Sequence, residues 1–150
     1  MSQSLVNNHI HLVYSTKGRL PLISQDVRDR LSGYQAGIFK QLDSPAIVIG
    51  GVEDHVHTLF RLSKNLPLIK VVEEVNKSSS KWMKSQGPLN HDFCWQTGYA
   101  AFSVSQSNLE TVEDYIKRQQ EHHQKSSFQD DLRALCTRHQ IEWDERYIWD

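Results

Sequence analysis

The chain has 150 residues, 38% of them hydrophobic, with four Trp, five Tyr and five Phe, and a formal net charge of −1. This length and composition predict one globular domain, and exclude a disordered chain or one with a long apolar membrane span. The near-neutral total argues against strong non-specific binding of polyanions, but it conceals an uneven distribution: residues 1–42 carry +3, 61–84 carry +4 and 110–150 carry −4. A basic N-terminal half of this kind could meet a nucleic acid, and solvated surface charge explains it equally well.

The start, MSQSLVNNHIH, has neither a basic leader nor a long apolar core, so no secretory signal is expected. Cys94 and Cys136 form no CxxC pair and suggest no disulfide framework, which fits a reduced cytoplasm.

HIHLVYST, from His9, alternates and is rich in β-formers, so it is expected to be a first strand. After a basic loop, KGRLP, the segment 24–42 has Val27, Leu31, Tyr34, Ile38 and Leu42 at helical spacing. AIVIGGV and HVHTLFRL are expected to pair as a hairpin around the acidic turn Glu53–Asp54. A second helix is expected over residues 66–84, with Leu68, Val71, Val72, Val75 and Trp82 inward. A strand bent at Gly98 is expected over 93–105, then one long helix over 108–124 and another over 128–140. The order β-α-β-β-α-β followed by helices predicts an α+β, ferredoxin-like antiparallel sheet, with two helices on one face and the other face open to a nucleic acid or a metal. One domain is expected to occupy residues 1–150.

Two His-x-His patterns stand out, His9/His11 and His55/His57. In a strand each pair places two imidazoles on one face, yet roughly 0.4 such matches are expected by chance in so histidine-rich a chain. Context favours the second pair. Downstream, Tyr115 and Gln119 stand four apart, on one face of a helix. Two imidazoles and an amide oxygen leave open positions on a divalent ion such as Mg²⁺ or Mn²⁺, and a phenol beside a bound phosphate can act as a nucleophile. Taken alone on the helix, Tyr115 reads as amphipathic packing, Gln119 as surface, and His122 and His123 as solvated, although His123 lies four beyond Gln119.

Six segments, HLVYSTKGRLPLI, GGVEDHVHTLFRLS, KSSSKWMK, FCWQTGYAAFSVS, VEDYIKRQQEHH and WDERYIWD, together resemble, in order, the HUH single-strand nucleases. Within these they are similar to the single-tyrosine transposases of the smallest bacterial insertion sequences. The resemblance implies that His55 and His57, flanking Val56, bind Mg²⁺ or Mn²⁺ with Gln119 as third ligand, and that Tyr115 is the nucleophile. It further implies cleavage of single-stranded DNA near subterminal hairpins, a 5′-phosphotyrosine and free 3′-OH, and a homodimer in which the tyrosine helix can complete the partner's site. Lys17, Arg19, Lys77, Ser79 and Lys81, with Ser78 and Ser80, are candidate phosphate contacts. Trp82 and Trp95 could stack on unpaired bases, but core packing is the expected role of both. His9 and His11 have no metal role in that pattern and are expected to be strand residues. The chain lacks a second tyrosine beside Tyr115, which separates it from two-tyrosine relatives. A domesticated or non-catalytic binder of palindromic DNA or RNA hairpins and a hydrolytic metal phosphoesterase are the alternative functions.

Overall fold

The computed structural model describes residues 2–150, with the side chain of His123 outside the described set. Its elements are β1 (His9–Ser15), α1 (Gln25–Gln41), β2 (Ala46–Gly51), β3 (His55–Arg61), α2 (Leu68–Lys84), β4 (Ala100–Val104), α3 (Leu109–Lys117), α4 (Gln119–Lys125) and α5 (Phe128–Arg138). The strands lie in the order β2-β3-β1-β4, every neighbour antiparallel. Each of α1 and α2 therefore joins two strands separated by a third, the split βαβ arrangement that the element order predicts.

Strand alternation divides β1 between two layers. Ile10, Leu12 and Tyr14 enter the larger core beneath α1 and α2, together with Val56 and Phe60 of β3. His9, His11, Val13 and Ser15 face the other way, and all seven residues of β1 are buried. Helix α1 buries Val27, Leu31, Gln35 and Phe39, a spacing of four. The expected stripe shared only its first two members with this set. Phe39 packs on Phe60 with ring centroids 4.8 Å apart, a burial that contributes about 2 kcal/mol. The polar intruder Gln35 is held by its amide, which donates to the Tyr14 hydroxyl at 2.9 Å.

Three expectations need correction. Ser79 is fully buried; its hydroxyl donates to the Val75 carbonyl at 2.6 Å and accepts from Trp95 Nε1 at 3.0 Å. A phosphate contact is closed to it, while Trp95 packs in the core as expected. The last strand is short, because residues 93–99 are irregular apart from one bridge between Trp95 and Thr16. The expected long helix breaks at Arg118, whose φ of −97° and ψ of 17° end α3 before α4 begins.

The second face of the sheet is also covered, contrary to the open face expected. Helix α3 packs over β2 and β3, and Phe128, Leu132, Leu135 and Cys136 of α5 close on Val13 and Phe102. Among the described residues no helix is long and apolar enough to cross a membrane.

Candidate metal and tyrosine site

The period of two in β3 puts His55 and His57 on the face beneath α3, and β3 is an interior strand. Both imidazoles are therefore buried, at 1% and 0% exposure, with ring centroids 5.3 Å apart. His55 Nδ1 lies 2.7 Å from the Asp54 carboxylate. His55 Nδ1 donates to that carboxylate, and its Nε2 faces Gln119 Oε1, 3.4 Å away. Gln119 is buried, and its amide nitrogen donates to the Tyr115 carbonyl at 3.4 Å, which aims the oxygen at His55.

His57 completes the set. Its Nδ1 is 2.9 Å from His11 Nε2, and its buried Nε2 has no hydrogen-bond partner. A buried polar atom left in this way costs about 1–3 kcal/mol. Burial, then the neighbouring imidazoles His11, His55 and His122, hold His57 well below the usual histidine range, so its ring is neutral and can act as a ligand. Burial similarly lowers His11 to about 4.

The spacing of His55 Nε2 and Gln119 Oε1 suits a divalent ion. Ligands about 2.1 Å from an octahedral centre lie roughly 3 Å apart when adjacent, close to the 3.4 Å between His55 Nε2 and Gln119 Oε1. Among the described residues no three His, Cys, Asp or Glu side chains form a metal cluster; the third donor here is an amide oxygen.

The Tyr115 ring packs edge-to-face with those of His57, His11 and His122, with centroids 5.6, 6.0 and 5.2 Å away. Burial, reinforced by the Asp131 carboxylate, pushes its hydroxyl up to about 12 against the opposing influence of Gln119 and Arg138. Gly50 sets this placement. A Cβ there would stand 2.4 Å from the Ile116 carbonyl oxygen, so only glycine lets α3 approach β2 this closely. A cleft of about 450 Å³ opens beside the phenol, lined by His11, Tyr115, His122, Asp131, Arg138 and His139 among others.

The family model for IS200-like transposases matches residues 4–119, a span that contains the sheet, both histidines, Tyr115 and Gln119. The chain belongs to this family. Among solved structures, this IS200-like transposase is similar to a candidate transposase from Deinococcus radiodurans R1, at 21% identity and a TM-score of 0.62, over 79% of this chain and 98% of that one. It is also similar to a REP-associated tyrosine transposase bound to a REP hairpin, at 12% identity and a TM-score of 0.60, over 82% of this chain and 74% of that one. At these identities the likeness establishes the fold. No curated protein sequence matches the chain.

The family match ends at Gln119, so the rest of α4, α5 and the C-terminal segment of this transposase lie beyond it, although they cover the site face. Of the sequence-predicted site residues, the structure brings together His55, His57, Tyr115 and Gln119 within one chain. Lys17 is exposed, in a turn at the His55 end of the sheet, where Thr16 N donates to the Asp54 carbonyl at 2.8 Å. Arg19 is half-buried, its guanidinium 5.6 Å from the Trp149 ring centroid. Lys77 and Lys81 are exposed on α2, in the layer opposite Tyr115. Trp82 stacks on Tyr34 at 5.2 Å.

Sequence reasoning missed His11, Asp54, Gly50 and the pair His122–Asp131, whose Nε2 and Oδ1 are 2.8 Å apart. Asp54 was signalled by its place beside His55 and Gly50 by a glycine pair in a strand; the others depend on long-range packing. The side chain of His123, the other histidine considered on this helix, lies outside the described residues.

Proposed function

We propose that this transposase cuts and rejoins single-stranded DNA at hairpin-marked element ends, with Tyr115 as nucleophile and Mg²⁺ or Mn²⁺ held by His55, His57 and Gln119. The observation that carries the reading is the partnerless, buried Nε2 of His57, set beside Tyr115 and near a His55–Gln119 pair at 3.4 Å. In water-free packing such a nitrogen is costly, and a ligand role removes the cost.

The phenol oxygen of Tyr115 attacks the scissile phosphorus, forming a 5′-phosphotyrosine and releasing the 3′-oxygen as a hydroxyl. Attack by a 3′-OH on that ester later restores the phosphodiester and returns the tyrosine, so no nucleotide triphosphate is consumed. With its hydroxyl raised to about 12, Tyr115 stays protonated at neutral pH and must lose its proton as it attacks. A bound divalent ion supplies Lewis-acid stabilisation of the phosphate oxygens. Asp54 orients His55, and Gln119 ties the ligand set to the tyrosine backbone.

Hairpin recognition is supported by family membership and by the REP hairpin held by one structural neighbour. Lys17 and Arg19, at the His55 end of the sheet, are assigned to phosphates near the cut; Lys77 and Lys81, in the opposite layer, are assigned to the duplex stem. Within the chain Tyr115 lies beside its own histidines, which supports catalysis in cis, and a homodimer would then join two complete sites.

The test separates chemistry from binding. His55→Ala and His57→Ala are expected to abolish the denaturation-resistant protein–DNA adduct formed with Mn²⁺, while hairpin affinity stays within a few-fold of the original. Equal loss of binding and cleavage would make these histidines structural. Release of 5′-phosphate ends without an adduct would instead identify a hydrolase.

A further inference from the structure

We infer that His11 is a positioning residue for the metal site: it accepts the Nδ1 proton of His57 and so fixes the tautomer that directs the His57 Nε2 lone pair at the ion. The inference rests on the metal reading proposed above and assigns a role to a histidine that its sequence context leaves as plain strand.

The geometry comes from the register of two neighbouring strands. His11 stands opposite Leu59, and His57 opposite Val13. The two histidines are thus diagonal neighbours on one sheet face, within reach of long side chains. Their rings meet with Nε2 of His11 2.9 Å from Nδ1 of His57, centroids 5.1 Å apart and planes at 31°. At 3% and 0% exposure, neither ring can exchange this partner for bulk water.

A neutral imidazole has one donor nitrogen and one acceptor nitrogen. If His11 carries its proton on Nδ1, its Nε2 accepts from His57 Nδ1–H and His57 Nε2 is a lone pair; if His11 carries it on Nε2, the same contact forms with His11 donating. In the latter case His57 Nε2 carries the proton and is lost as a ligand. The nitrogen that must bind the ion is the one with no hydrogen-bond partner, so the inferred selection between these states falls to His11 acting as acceptor, the one side chain hydrogen-bonded to His57 Nδ1. Asp54 has the equivalent place on His55, 2.7 Å from its Nδ1. Both histidines of the ligand strand thus have their Nδ1 engaged, one by a carboxylate and one by an imidazole, and both are left to bind through Nε2. His11 also faces the ring of Tyr115 at 6.0 Å, so one side chain borders both the ligand and the nucleophile.

His9 is the internal control. It lies two residues away on the same face, opposite Arg61, and its Nδ1 has no hydrogen-bond partner. It offers nothing to either ligand.

Two variants separate the hydrogen bond from the packing. His11→Leu keeps a buried side chain and removes the acceptor, whereas His11→Gln places an amide oxygen near the position of Nε2. In metal-free protein, long-range ¹H–¹⁵N spectra of the histidine rings should show His57 as the Nδ1–H tautomer in the wild type and in His11→Gln, and a mixture in His11→Leu. Mn²⁺ binding, measured by calorimetry, should weaken about 10–100-fold in His11→Leu, recover to within a few-fold in His11→Gln and be unchanged in His9→Leu. Adduct formation in His11→Leu should be restored by raising Mn²⁺, at unaltered hairpin affinity. An Nε2–H tautomer of His57 in the wild type overturns the assignment, as does wild-type Mn²⁺ affinity in His11→Leu or equal loss in both His11 variants. Failure of the metal reading looks different: wild-type protein then binds no Mn²⁺, while the ring spectra still report whether His11 holds the His57 proton.

Discussion

Replacing Gly50 by alanine tests how far the placement of α3 governs the chemistry. The added methyl carbon would sit 2.4 Å from the Ile116 carbonyl oxygen, 2.9 Å from Ile116 Cγ2 and 3.2 Å from its carbonyl carbon. The nearest of these is backbone, so no side-chain rotation relieves it. Ordinary contact requires β2 and α3 to separate by about 1 Å, and Tyr115 moves with Ile116. A misplacement of this size at a reacting group can slow the reaction about 100-fold, while overpacking costs about 1–3 kcal/mol of stability. In a single-turnover assay with a hairpin-bearing oligonucleotide and Mn²⁺, Gly50→Ala should form adduct about 100-fold more slowly and bind the hairpin within a few-fold of wild type. Gly37→Ala, where a Cβ would meet no heavy atom within 4 Å, is the control. It should cleave normally and, as a glycine replaced in a helix, gain up to about 1 kcal/mol of stability. Adduct formation at the wild-type rate in folded Gly50→Ala would refute the claim that this contact positions the tyrosine.

Two further outcomes follow from the buried site. His11 is held to about 4 and His57 well below the histidine range, whereas unfolded imidazoles titrate near 6.5. Between those values the unfolded chain takes up protons that the folded chain refuses, so stability is complete above about pH 6.5 and falls as pH falls; His11 alone accounts for about 3 kcal/mol by pH 4. Urea titrations in EDTA should show this slope, shallower in His11→Leu, and an equal slope in that variant would contradict the burial argument. Mixing Tyr115→Phe with His57→Ala protein should leave cleavage abolished under the cis arrangement proposed; restored adduct would place the tyrosine in trans.

What the sequence makes legible is local. Alternation and β-branching mark β1 and β3, helical spacing puts Gln119 one turn after Tyr115, and an ordered set of segments points to the family that the match over residues 4–119 establishes. What it hides depends on register and on the second layer. His11 and His57 are 46 residues apart and meet only because β1 and β3 pair in one alignment. Ser79 resembles its neighbours Ser78 and Ser80 in sequence, yet the helix turns it into the core against Trp95. Phe39, rather than Ile38, faces Phe60 because α1 packs along a line of residues spaced by four. The cover supplied by α5 has no local marker either: its apolar face reads the same whether it meets this sheet, another chain or nothing.

The central claim is that Tyr115 carries the DNA between cleavage and rejoining. The most direct test is to trap the protein on a single-stranded hairpin substrate with Mn²⁺, digest it and identify by mass spectrometry the residue that retains a nucleotide. The account predicts one modified peptide, with the 5′-phosphate ester on Tyr115, and none in Tyr115→Phe. An ester on another residue, or an adduct that survives Tyr115→Phe, would contradict it.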